Sequence, residues 1–182
     1  MITRILLTLV VSLFLANTAF AQRDYLTDKE IDLVKDAQVL DKRIDVFIKA
    51  AERRLLVING TAPAASTKQS KKDKEEAERW GELPTGSRAE LISDIARIVD
   101  AAIDNIDNVS QHDERNPLIG KSLRKLATAV NSIMEQLKPL SAQAKTEGEI
   151  ASFEQLNEGA QSIQEAVTKL PPEVVEKKTK KN

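Results

Sequence analysis

The chain has 182 residues, 30% of them charged and 41% apolar, with a formal net charge of −1 and no cysteine. So even a charge balance points neither to nucleic acid nor to a strongly acidic ligand, and the lack of cysteine excludes disulfides and covalent haem attachment. A length of this order suits one domain with a core of its own.

Residues 1–21 read as a secretory address. Arg4 supplies the basic start, Ile5 to Ala16 a short apolar run, and Ala19-Phe20-Ala21 a small-x-small cleavage site before Gln22. The run is too short for a comfortable transmembrane span, and no cysteine follows it to take a lipid. The expected mature chain is Gln22–Asn182. Loss of Arg4 leaves 26 basic against 28 acidic residues, a net charge of −2. Export, the absence of disulfides and a high Ala, Lys and Glu content together indicate a bacterial periplasmic or secreted protein.

Residues 22–59 are expected to form the first long helix. Thr27 and Glu30 make a capping box, with Leu26 and Ile31 at the positions of a hydrophobic staple. No Gly or Pro follows until Gly60, which marks a C-terminal stop after Asn59. The core face reads Leu33, Ala37, Leu40, Ile44, Phe47, Ala51, Leu55 and Ile58. Such a rod would be roughly 45 Å long and needs partners of similar length.

This helix has a second apolar face. With 100° per residue counted from Ile44, Val39, Val46, Ala50 and Val57 cluster near about 200–240°, opposite the core stripe. Beside them, at about 140–180°, run Lys35, Lys42, Lys49 and Arg53. Two destinations fit that pattern. The crossover that follows, with Trp80, covers the valines; or they dock a second copy or an acidic partner helix, steered by the basic row.

Residues 60–86 read as a charged, flexible crossover in which Lys68 to Arg79 is expected to form a frayed or transient helix. Thr61 to Thr67 is low in complexity, and Lys68 to Arg79 is almost wholly charged, with lysines ahead of glutamates in the order that opposes a helix dipole. Trp80, the only tryptophan, is expected to pin this segment to the rest.

Residues 87–170 hold a helical hairpin and a last helix. Ser87 and Glu90 form a second capping box, and Ile92, Ile95, Val99, Ala102, Ile106 and Val109 recur at helical spacing. Asn116-Pro117 opens the second arm, with its stripe at Ile119, Leu123, Leu126, Val130, Ile133, Leu137, Leu140 and Ala144. Pro139 predicts a kink or break in that arm. Asp100, Asp104 and Asp107 on the first arm would lie beside Lys121, Arg124 and Lys125 on the second if the arms pack side by side. After Gly148 a last helix is expected over about Glu149 to Leu170, stopped by Pro171-Pro172. Residues 171–182 read as a disordered Lys-rich tail, making at most weak contact with anionic envelope surfaces.

The expected architecture is all-α, an antiparallel bundle of four long amphipathic helices with a long charged crossover between the first and second; the crossover leaves the direction of the first helix open, so that it could instead project partly free. Chemistry has little to stand on. Asp100, Asp104 and Asp107 share a face and are weak candidates for a hard cation, which usually needs more oxygen ligands than three aspartates give. His112, the only histidine, lies in the hairpin loop. Haem ligation would need it to meet Met134, about 20 Å or more away along a hairpin. No serine sits in a nucleophile elbow. No cofactor and no catalysis are expected. The reading is an exported, non-catalytic interaction or structural module acting through a helix face, with self-association or an acidic protein as partner. The alternative is a bundle that binds a small molecule or a metal cation.

Overall fold

Both capping boxes form where the sequence writes them. The Thr27 hydroxyl accepts the Glu30 amide at 3.3 Å while the Glu30 carboxylate accepts the Thr27 amide at 2.9 Å. Ser87 and Glu90 repeat the exchange at 3.3 and 2.7 Å. The computed structural model describes residues 24–61 and 71–172. The expected leader with its cleavage site, residues 62–70 of the crossover and the tail from residue 173 lie outside the described residues.

Among the described residues there are six helices and no strand. They are α1 (Asp28–Asp36), α2 (Leu40–Ile58), α3 (Lys71–Trp80), α4 (Arg88–His112), α5 (Pro117–Ser141) and α6 (Glu147–Thr168). The expected single rod over 22–59 is therefore two helices. Ala37 leaves helical geometry at φ −76°, ψ 82°, and Val39 is extended at φ −93°, ψ 132°. The Arg43 guanidinium accommodates the turn by donating to the Ala37 carbonyl at 3.0 Å. A continuous helix would hold Glu30 and Arg54 about 36 Å apart; here they are hydrogen-bonded at 2.8 Å, so α1 folds back along α2. Satisfying two buried arginines is the physical reason for the reversal, and the spacing of apolar residues carries no trace of it.

Part of the expected crossover is also ordered as a helix, α3, ending at the buried Trp80. Lys49 on α2 pairs with Glu76 on α3 at 3.2 Å. Gly81 turns the chain away at φ 66°, a left-handed conformation that costs glycine little, with the Lys29 side chain close by. In this way α1 and α3 share a layer behind α2.

The four longer helices surround one core in which Ile44, Ile92, Ile95, Ala102 and Leu156 are fully buried. Cross-links give their directions. Asp41 meets Lys121, and Asn59 meets Gln136, so α2 and α5 run the same way. Arg88 meets Glu149, and Asp100 meets Gln155, so α4 and α6 also run the same way. Arg43 bonds Asn105 while Arg54 faces Asp94, which sets α2 against α4. An antiparallel bundle was expected, yet α2 with α5 and α4 with α6 are parallel neighbours.

The expected side-by-side hairpin is corrected too. The arms α4 and α5 touch each other less than either touches α2 or α6. Lys121 and Lys125 pair with Asp41 and Asp45 on α2 at 2.7 and 2.6 Å, and Arg124 donates to the Pro171 carbonyl, leaving Asp100, Asp104 and Asp107 to other neighbours. Both arms carry apolar stripes wide enough to take α2 on one flank and α6 on the other, which pushes them to opposite corners. Pro139 falls in the last turn of α5, and the helix ends two residues later at Ser141.

Candidate functional site

The second apolar face of α2 is largely used up inside the molecule. Val46 and Ala50 are buried and belong to the same core cluster as Trp80, Val57 is half-buried, and Val39 alone is exposed, at 48%. The basic row is dispersed. Lys35 lies 3.9 Å from Asp32, Lys42 lies 3.8 Å from Asp45, and Lys49 holds Glu76. Arg53 is not on a rim at all.

Arg53 and its neighbour Arg54 form a buried charge cluster. Glu30, fully buried, accepts from Arg53 Nε at 3.1 Å and from Arg54 Nη1 at 2.8 Å through the oxygen its cap leaves free. Arg54 also donates to the carbonyls of Ala50 and Tyr25, and its Nε lies 3.7 Å from Asp94. Arg53 reaches the carbonyls of Gly81 and Glu82, with its guanidinium 5.5 Å from the centre of the Trp80 ring. Burial pushes the Arg53 guanidinium below its ordinary value, and Glu30 pulls it back up. The cluster binds α1, α2, α4 and the end of α3 together, and of the buried arginine nitrogens only Arg54 Nε has no hydrogen-bond partner among the described residues. It is structural.

Sequence reasoning missed this cluster, although one signal was present. Arg54 has Ala50, Ala51, Val57 and Ile58 at the helical neighbour positions, so no acid on its own helix face could satisfy it. A distant carboxylate was required. Glu30 hid behind its capping role.

The acidic trio does not converge. Asp100 accepts from Gln155 on α6 at 2.5 Å, Asp104 lines a groove against α1, and Asp107 lines an open hollow with Ser110, Gln111 and Glu114. Among the described residues no group of three or more His, Cys, Asp or Glu side chains is placed to hold a metal ion. His112 is exposed at the end of α4, its Nδ1 2.7 Å from the Asn108 carbonyl. Met134 lines a cleft between α5 and α6.

Two further concave surfaces among the described residues have apolar linings. One is a groove of about 430 Å³ between α1 and α4, with Tyr25, Leu26, Ile31, Val34, Phe47 and Ala101 as apolar lining and Lys35, Asp104 and Asn105 as its polar edge. Its geometry follows from the α1 reversal, which sets Ile31 and Val34 opposite α4 over the Phe47 ring. Arg97 stacks on Tyr25 with its guanidinium 4.5 Å from the ring centre, closing one end. The other is the α5/α6 cleft, about 240 Å³, lined by Met134, Leu137 and Phe153 with Glu135, Lys138, Ser141 and Asn157 around them. Neither was legible in the sequence, because both are made by pairs of helices whose adjacency periodicity does not specify. No helix among the described residues is long and apolar enough to cross a membrane. No family model, curated protein or solved structure matches the chain.

Proposed function

We propose that this is an exported, non-catalytic helical protein. In this reading α2, α4, α5 and α6 form a four-helix bundle braced by α1 and α3, and the protein works by holding a segment of a partner protein in the α1/α4 groove. The single observation that carries the reading is the make-up of that groove. It offers half-buried Ile31 and Val34, one helical step apart, over an apolar floor, with an ammonium on one edge and a carboxylate on the other. A segment that is apolar along one side and carries an acidic residue toward Lys35 meets those features. Asp104 has no ion pair among the described residues and would take a donor from the same segment. The Lys-rich tail adds at most weak attraction to anionic envelope surfaces.

The test is photo-crosslinking in the native envelope from a reactive residue placed at Val34, with one at the exposed loop residue Asp113 as control. The reading expects a discrete protein adduct from Val34, absent from Asp113 and lost when Lys35→Glu is added. A second reading, small-molecule binding, is favoured by the groove's volume, which falls in the usual ligand range of about 300–1,000 Å³. A melting temperature raised by a metabolite or cation, with no protein adduct, selects that alternative. Absence of both removes the groove as a functional site.

A further inference from the structure

A second surface lies apart from the α1/α4 groove. Among the described residues only Val39 and Ile150 are exposed large hydrophobics, Ile150 at 43%. Ile150, Phe153 and Asn157 follow one another at i, i+3 and i+7 and so share a stripe of α6. Phe153 and Asn157 line the α5/α6 cleft, so Ile150 stands at its rim, an apolar knob next to an apolar hole floored by Met134, Leu137 and Phe153. A single chain cannot put that knob into its own hole.

The charges name the occupant. Along α5, Lys121 and Lys125 are turned to Asp41 and Asp45 of α2, which leaves Arg124 and Lys138 against Glu135; on α6 Glu149 is held by Arg88, which leaves Glu147, Glu154, Glu158 and Glu165 with no basic residue among them. The two helices are antiparallel neighbours, since Gly120 lies under Leu170 while Met134 to Ser141 flank Phe153 and Asn157. We propose that the α5/α6 face pairs with the same face of a second copy about a two-fold axis running along the helices. That operation lays Arg124 and Lys138 of each copy on the acidic α6 of the other, and it holds the two clefts at the same height. Ile150 of each chain enters the other's cleft, and Lys138 faces Glu154 of the second copy. Both of these charged side chains are exposed and have no ion pair among the described residues. An axis perpendicular to the helices would instead set α5 on α5 and α6 on α6, like charge on like. The size is adequate. Helices of 25 and 22 residues are about 37 and 33 Å long; at a spacing of about 10 Å they present roughly 700 Å² per copy, close to the roughly 800 Å² per partner of a standard interface.

The experiment is the mass of the whole exported chain in solution, by light scattering or sedimentation across micromolar to submillimolar concentration. The expected result is a dimer that loosens as salt is raised. Ile150→Glu should weaken it at least about tenfold while leaving the circular dichroism spectrum and melt unchanged. Lys138→Glu should weaken it as well, and adding Glu154→Lys should restore much of the loss. The charge variants change only exposed side chains, so they report on the interface even if Ile150→Glu disturbs folding. A chain that stays monomeric throughout overturns the proposal. So does a dimer indifferent to all three variants, or one in which the double reversal recovers nothing.

Discussion

Glu30 shows how much one side chain can settle. Its carboxylate caps α1 through one oxygen and accepts from two buried arginines through the other. Removing one partner of a buried ion cluster costs about 3–5 kcal/mol, because the charge left behind has no water to turn to. Glu30→Ala should therefore lower unfolding free energy by about that amount, far more than the roughly 1 kcal/mol of a lost cap. Urea titration separates the two. A loss near 1 kcal/mol would mean that Arg53 and Arg54 find other partners. The capping role was legible because its partners are three residues apart. The pairing with Arg53 and Arg54 was not, since those residues lie 23 and 24 positions away and only a chain reversal joins them.

At the level of elements, α2 explains why the apolar pattern misled. Its two apolar faces are both used, one toward α4 and α5 and the other under α1 and the Trp80 end of α3. A helix with apolar residues all round reads as buried on every side, yet nothing local says whether its second cover comes from the same chain or from another. Between α4 and α6, Gly159 sets the approach. A methyl group in its place would meet Val99 Cγ1 at 3.3 Å, with Asp100 and Ile103 just beyond. Gly159→Val forces these helices apart and should destabilise by about 1–3 kcal/mol, the usual cost of overpacking. Glycine in mid-helix otherwise lowers stability by about 1 kcal/mol relative to alanine, so a stabilised Gly159→Val variant would show that the contact yields freely. The sequence marked Gly159 only as a weak point of its helix; its packing role appears once α4 is known to lie alongside.

For the molecule as a whole, ion pairs between helices record the arrangement. The hydrogen bond from Lys121 holds the Asp41 carboxyl below the usual aspartate value, against the effect of burial, and the hydrogen bond from Arg88 does the same for Glu149. Both folded values lie below the unfolded ones of about 3.9 and 4.3. Their stabilisation is complete above about pH 5 and drains away as pH falls through the folded values. Lys121 is raised by the same hydrogen bond to Asp41, so its share persists below about pH 10 and is lost as pH rises past its folded value. The urea midpoint should fall on acidification below about pH 4, and Asp41→Asn should flatten part of that fall. An unchanged acid limb in Asp41→Asn would show that α2 and α5 are not joined through this pair.

Helix content and the two capping boxes were decided by the sequence alone, because they rest on contacts three or four residues apart. The stops at Gly60 and after Pro139 belong with them, since each depends on the conformation or missing donor of one residue. Which helix lies beside which was decided only in three dimensions. The stripes on α4 and α5 fit each other, α2 and α6 about equally well; the neighbours are recorded by Lys121 meeting Asp41, Arg88 meeting Glu149 and Arg54 meeting Glu30. The groove against α1 and the cleft beside Ile150 follow from that selection. Surfaces shared between distant segments exist only after the chain has closed on itself.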